Sequence, residues 1–200
     1  MGLREIKKAR TRRAISSLAT ELFVARGYHA VTTAEIAEKA EVSVATLFNY
    51  FPVKEALVFD DDEDLESALA DAVLSRPAGQ SILEALREFI LHGPFFCAFR
   101  EEADESYARF FKLLRTTPEL AAYGWQMSLR YEKALGEAIS TSTGGAISPV
   151  RAAAIAHFVL QAIHRAQLAP HPIHAFNELM DLIISGTEVH DPSWTTRCPA

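Results

Sequence analysis

At 200 residues, 49% of them hydrophobic and 23% charged, the chain holds enough apolar material for one large domain or two small ones, with the composition of an ordinary globular protein. The net charge of −6 taken whole argues against a nucleic-acid partner, but residues 1–54 hold nine Lys or Arg against five Glu, +4, while the remainder hold eleven against twenty-one, −10. A basic head on an acidic body can still attract phosphate, because fields are screened over about 8 Å at physiological ionic strength. Two cysteines, Cys97 and Cys198, make neither a disulfide framework nor a metal-binding spacing, so a reducing cytoplasm is the expected compartment. The charged start MGLREIKKARTRRAI has no secretory pattern, and no run reaches the roughly 18 apolar residues of a membrane span.

In chain order, a basic arm of Arg4, Lys7, Lys8, Arg10, Arg12 and Arg13 leads into an amphipathic helix in which Ile15, Leu18, Ala19, Leu22 and Phe23 recur at three and four. Taken alone the arm fits a solvated face as well as a phosphate-binding one. Gly27 ends that helix as a left-handed cap. Thr32 and Glu35 have capping-box spacing and open a short helix with Ile36, Ala37 and Ala40 on its apolar face. The pattern breaks at Glu41-Val42-Ser43, and Ser43 caps a second helix from Val44 to about Phe51. Leu47 and Phe51 share one side of it; Ala45, Thr46, Asn49 and Tyr50 fall largely on the other, almost without charge, which suits base edges better than bulk water. Pro52 stops the helix.

The run Thr33-x-x-Ile36-Ala37-x-x-Ala40-x-Val42-Ser43-x-x-Thr46-Leu47-Phe48-Asn49-Tyr50-Phe51-x-x-Lys54-Glu55-x-Leu57 resembles the DNA-binding domain of the TetR family of transcriptional repressors, over roughly residues 10–58. The resemblance implies an all-α homodimer with a helix-turn-helix head and a larger ligand-binding and dimerisation domain, and the residue pattern along the chain gives about nine helices. It also implies a double-stranded DNA operator, a small-molecule effector and no cofactor. Carried over by position, Val44, Ala45, Thr46, Asn49 and Tyr50 would meet bases and backbone. Thr33 and Lys54 would hold phosphates, the Ser43 cap would aim the helix at the duplex, and Phe48 would reach sugar as well as core. Val44 and Ala45 stand where the family often has polar residues or glycine, which shifts base readout towards Asn49, Tyr50 and methyl contacts.

The expected division is a head at 1–54, a body at 55–186 with a long linker helix over about 54–74, and a mobile tail at 187–200. The linker contains Asp60-Asp61-Asp62-Glu63-Asp64, whose side chains step around a helix and cannot converge on one cation, so they read as a solvated face. Arg76-Pro77-Ala78-Gly79 breaks the pattern. Ser81 and Glu84 form another capping box for a fifth helix, which Gly93-Pro94 interrupts. Helices are expected over about Ala103–Arg115 and Thr117–Ile139. Ser148-Pro149 then starts an alanine-rich helix to about Leu168, and a last helix runs from Ile173 to Ile184, closed by Gly186.

Phe89, Phe96 and Phe99, with Tyr107, Phe110, Phe111 and Leu114, fall where the family keeps its inducer pocket. Trp125, Met127 and Tyr131 extend that set, and His157 and Gln161 add polar groups. Such a cavity would suit a hydrophobic or acyl ligand, and the body is also similar to mycofactocin-type regulators, for which an acyl-coenzyme A ligand is implied. The last two helices are more apolar than one small domain covers. Ala154, Phe158 and Ala162 on one, and Phe176, Leu179, Met180 and Ile183 on the other, are the expected dimer face. His171 and His174 lack the further ligands a zinc site needs. No nucleophile elbow, phosphate loop or Cys/His pair supports an enzyme. The reading is therefore a ligand-responsive repressor without catalytic residues or metal; the alternative is a helical small-molecule-binding or protein-interaction module without specific DNA recognition.

Overall fold

Side-chain caps and proline set most of the helix starts. A computed structural model describes residues 2–60, 62–99 and 105–188, and every regular element among them is helical. These are α1 (Leu3–Arg26), α2 (Thr33–Lys39), α3 (Val44–Tyr50), α4 (Asp62–Leu74), α5 (Ile82–His92), α6 (Glu105–Thr116), α7 (Pro118–Ser142), α8 (Pro149–Ala166) and α9 (Pro172–Glu188). Short 3-10 turns occupy Glu55–Leu57 and Pro94–Phe99. The Oγ atoms of Ser43, Ser81 and Ser148 each accept from the backbone N–H three residues on, at 3.0, 3.2 and 3.4 Å, which satisfies donors that a helix start leaves orphaned. Gly27 closes α1 at φ 89°, a left-handed value that a side chain would strain, and its N–H returns to Phe23 O at 2.8 Å.

Two compact units result, Met1–Ala70 with Cys97–Ala134, and Asp71–Phe96 with Leu135–Ala200. The first is wider than a head ending at residue 54, and its core explains the difference. Ile15, Ala19 and Phe23 of α1, Ile36 and Ala37 of α2, and Leu47 and Phe51 meet in one buried cluster that also includes Leu120 of α7, with Phe110 and Leu114 of α6 packed partly against it. Each large side chain so buried contributes about 1.5–3 kcal/mol.

The long helix expected over residues 54–74 is broken. Ala56, Leu57 and Val58 are consecutive and all buried, a demand that one helix face, with its 100° steps, cannot meet. The chain instead makes the 3-10 turn, the Ser16 hydroxyl takes the Leu57 carbonyl at 2.8 Å, and α4 begins only at Asp62.

In the second unit α8 lies along α9. Ala152, Ala156, Val159, Ala162 and Ile163 of α8 are buried, as are Phe176 and Met180 of α9. Small residues also let α7 approach α8: a Cβ at Gly136 would stand 3.3 Å from the Ala153 Cα. Phe96 meets Phe176 at a ring-centroid distance of 5.0 Å, and Arg87 pairs with Asp181 at 2.5 Å. Gly186 does not end the last helix, which continues to Glu188. Its φ is not positive, and a helical glycine costs about 1 kcal/mol without forcing termination. Asp61, the start expected for the sixth helix at Ala103, and the tail from residue 189 lie outside the described residues.

Candidate nucleic-acid interface

The turn between α2 and α3 is fixed by backbone hydrogen bonds before any side chain acts. Val42 N–H donates to Ala37 O at 2.9 Å and Glu41 N–H to Glu38 O at 3.1 Å, the two bonds of a Schellman closure. Glu41 takes the left-handed position of that motif at φ 55°, where glycine is the unstrained choice. Ser43 then caps α3; its Oγ lies 2.7 Å from Thr46 Oγ1 as well as accepting from the Thr46 amide. The Thr46 hydroxyl is thus engaged in the cap.

The other end of α3 is held by a residue that periodicity alone assigned to a basic arm. Arg12 donates from Nη1 to Tyr50 O at 2.6 Å, pairs through Nε with Asp60 at 2.5 Å, and lies over the Phe51 ring with its Cζ 4.4 Å from the centroid. About a third of it stays exposed, and it ties α1 to the carboxyl end of α3. Lys54, expected on phosphate, also finds its partner inside. Its ammonium donates to Tyr28 O at 2.7 Å and sits 4.1 Å from the Tyr28 ring centroid, where burial holds its pKa below the ordinary lysine value. The Tyr28 hydroxyl donates to Glu55 at 2.7 Å; burial first, and then that carboxylate, push its pKa upward. Only half of the Thr32–Glu35 capping box forms: Thr32 accepts from the Glu35 amide at 3.1 Å, but the Glu35 carboxylate turns to Arg26.

With the cations turned inward, α3 presents a neutral surface. Val44 is 42% exposed and Phe48 41%, four residues apart, beside the exposed Ala45 and Asn49; Leu47 and Phe51 are fully buried. Tyr50 and Thr33 are half-buried, and Tyr50 packs partly on the core. An open groove of about 400 Å³ brings Arg10 of α1 near Lys39 and Glu41 beyond α2.

The residues expected to form one ligand pocket are shared between the two units. Phe99, Phe110 and Phe111 come together in the first, with centroids 5.4 and 5.8 Å apart. Met127 and Tyr131 are buried there too, Trp125 is 50% exposed, and Leu114 joins the head core. The Tyr107 side chain lies outside the described residues. Phe89, Phe96, His157 and Gln161 belong to the second unit; His157 is exposed, and Phe96 is sealed against Phe176.

The expected dimer face divides similarly. Phe176 and Met180 are fully buried and Ala162 nearly so, so they pack within their own chain and have no surface left for a partner. Leu179 and Ile183 are half-buried, while Ala154 and Phe158 are exposed. The apolar residues that do face outwards, Val150 at 80%, Phe158 at 57% and Leu182 at 67%, include two that periodicity did not single out. Among the described residues no three His, Cys, Asp or Glu side chains gather as for a metal ion, and no helix is long and apolar enough to cross a membrane.

Known proteins share this head. Residues 15–60 match the profile of bacterial regulatory proteins of the tetR family. The HTH-type transcriptional regulator TcmR of Streptomyces glaucescens is 39% identical over 85 residues, a match spanning 42% of this chain and 38% of TcmR. MftR of Mycobacterium tuberculosis, named for regulation of mycofactocin biosynthesis, is 27% identical over 70% of this chain and 69% of its own length. Thermus thermophilus FadR, a TetR-family repressor solved with lauroyl-CoA, superposes with a TM-score of 0.55 at 23% identity over 94% of this chain and 99% of that one, a likeness of fold. The capped helix-turn-helix thus lies within the segment that matches bacterial regulatory proteins of the tetR family, and every regular element among the described residues is helical.

Proposed function

We propose that the protein is a ligand-responsive transcriptional repressor that binds a palindromic operator as a homodimer in the cytoplasm and is released by a small hydrophobic or acyl-type effector. The observation that carries this reading is the α3 surface: neutral, exposed along Val44, Ala45, Phe48 and Asn49, and anchored at both ends by the Ser43 cap and by Arg12. A solvent face without ionisable groups has little use in water, whereas base edges reward it. The basic residues of α1 and Lys39 would supply the sequence-independent attraction to phosphate. A homodimer is supported by the outward apolar residues of α8 and α9, Val150, Phe158 and Leu182. Twofold symmetry would require half-sites about one helical turn apart, roughly 34 Å, or a multiple of it.

A mobility-shift titration against DNA from the protein's own upstream region, with scrambled competitor and long-chain acyl-coenzyme A as effector, tests the reading. Specific binding released by the thioester is the expected result. Specific binding indifferent to it would discard the acyl class, and binding without sequence preference at several operators would favour a helical module that does not read DNA.

A further inference from the structure

We infer that α3 reads A·T base pairs: the Asn49 amide takes one adenine, the Val44, Ala45 and Phe48 side chains take the methyl groups of neighbouring thymines, and no guanine is read by this helix. The inference rests on the repressor reading above and specifies its target.

Guanine is recognised in the major groove chiefly by Arg or Lys donating to O6 and N7. The α3 sequence VATLFNY contains neither. The cations packed around it are committed, Lys54 to the Tyr28 carbonyl at 2.7 Å and Arg12 to the Tyr50 carbonyl at 2.6 Å and to Asp60. Arg26 is paired with Glu35. The other exposed basic residues of the head stand on α1 and at the end of α2, outside α3.

What remains on the face is one amide and a set of hydrocarbons. Asn49 is exposed and its side chain makes no hydrogen bond among the described residues, so its amide carbonyl oxygen and NH2 are both available, the acceptor-donor pair that adenine N6 and N7 complement. Of the other polar candidates, the Thr46 hydroxyl is held by Ser43 at 2.7 Å, and Tyr50 is half-buried and packs partly on the core. Residues four apart on a helix stand in rows, so Val44 and Phe48 form one row and Ala45 and Asn49 the next. The adenine reader therefore has apolar neighbours on its own row and on the adjacent one. A thymine C5-methyl fits against such groups, whereas a cytosine amino group there would lose its water without gaining a partner.

The test is selection of double-stranded sites from a random library by the full chain, followed by substitution within the selected site. Half-sites with A·T pairs where α3 docks are expected. Replacing thymine by uracil, which removes only the C5-methyl, should weaken binding about fourfold at each contacted base. Asn49→Ala should erase preference at one A·T pair, a change of about 5- to 150-fold, while non-specific affinity and the salt slope stay as in the wild type. G·C pairs at the docking positions would overturn the inference and leave the repressor reading standing. So would A·T enrichment indifferent to both uracil and Asn49→Ala, since the protein would then be reading duplex shape. Failure to enrich any sequence would overturn the repressor reading itself.

Discussion

The head and the α8–α9 pair use their side chains in opposite ways. In the head, charged residues serve internal geometry: Arg12 holds the end of α3, Lys54 holds the Tyr28 carbonyl, and the outer face of α3 stays neutral. In α8 and α9 the apolar stripe is split, with Phe176 and Met180 sealed inside while Val150, Phe158 and Leu182 face out. An exposed apolar residue therefore has different consequences in the two places. On the proposed function, such a residue on a helix fixed at both ends would meet base edges, and on a long helix with its inner face already filled it would meet a second copy.

The largest effects should come from emptying each core. Phe51→Ala and Phe176→Ala, at two fully buried positions, should each cost about 3–5 kcal/mol, read as the midpoint of urea unfolding. If the two regions are independently stabilised, Phe51→Ala will remove DNA binding and spare dimerisation, and Phe176→Ala will show the reverse order of loss. Phe158→Asp comes next. At 57% exposure it should leave monomer folding intact yet bury an unpaired charge in a twofold interface, so sedimentation should find monomers at concentrations where the wild type is dimeric. A dimer of undiminished affinity would show that this face of α8 is not the interface.

Arg12→Gln sharpens the comparison within the head. A cation that positions α3 from inside should, when lost, weaken specific binding by about 1–3 kcal/mol. The slope of log affinity against log salt should stay unchanged, whereas loss of a phosphate contact would reduce it by about one. Glu41→Gly should relieve the left-handed strain at φ 55° and, after the entropic cost of glycine, raise thermal stability by about 0.5–1 kcal/mol. The smallest expected effect belongs to the Ser81–Glu84 box. Both hydrogen bonds from Ser81, hydroxyl and amide, hold the exposed Glu84 carboxyl below its ordinary pKa. A lowered folded-state pKa means that the contribution is present above the ordinary carboxylate range and fades as pH falls through the lowered value. Glu84→Gln should therefore differ from the wild type in melting temperature at neutral pH and converge with it in acid.

The capping residues show what could be read in advance. Ser43, Ser81, Ser148-Pro149 and Gly27 marked their boundaries because capping is local: each serine hydroxyl accepts from the N–H three residues on, and the Gly27 N–H donates to the Phe23 carbonyl four residues back. The exposed positions Ala45 and Asn49 were legible for the same reason, since a seven-residue helix places its rows by spacing, whereas Thr46 and Tyr50, expected beside them, are half-buried. The break at Glu55–Leu57 was not legible, because Ala56, Leu57 and Val58 read equally well as helix until the hydroxyl of Ser16, 41 residues away, claims the Leu57 carbonyl. Arg12 looked like one of six similar cations, and only the carbonyl of Tyr50 and the carboxylate of Asp60 distinguish it. Phe176 and Phe158 carry the same side chain on apolar helices. Which is sealed and which is free depends on how α8 and α9 turn against each other and on Phe96.

Local hydrogen bonding and helical period thus determined the class of the fold, the capped helix starts and the exposure of Ala45 and Asn49 on α3. Partner choice across long stretches of chain determined the rest, because an interior can accept any apolar stripe of suitable width and a cation any carbonyl within reach. Only the packed structure decides which of those equivalent choices is made.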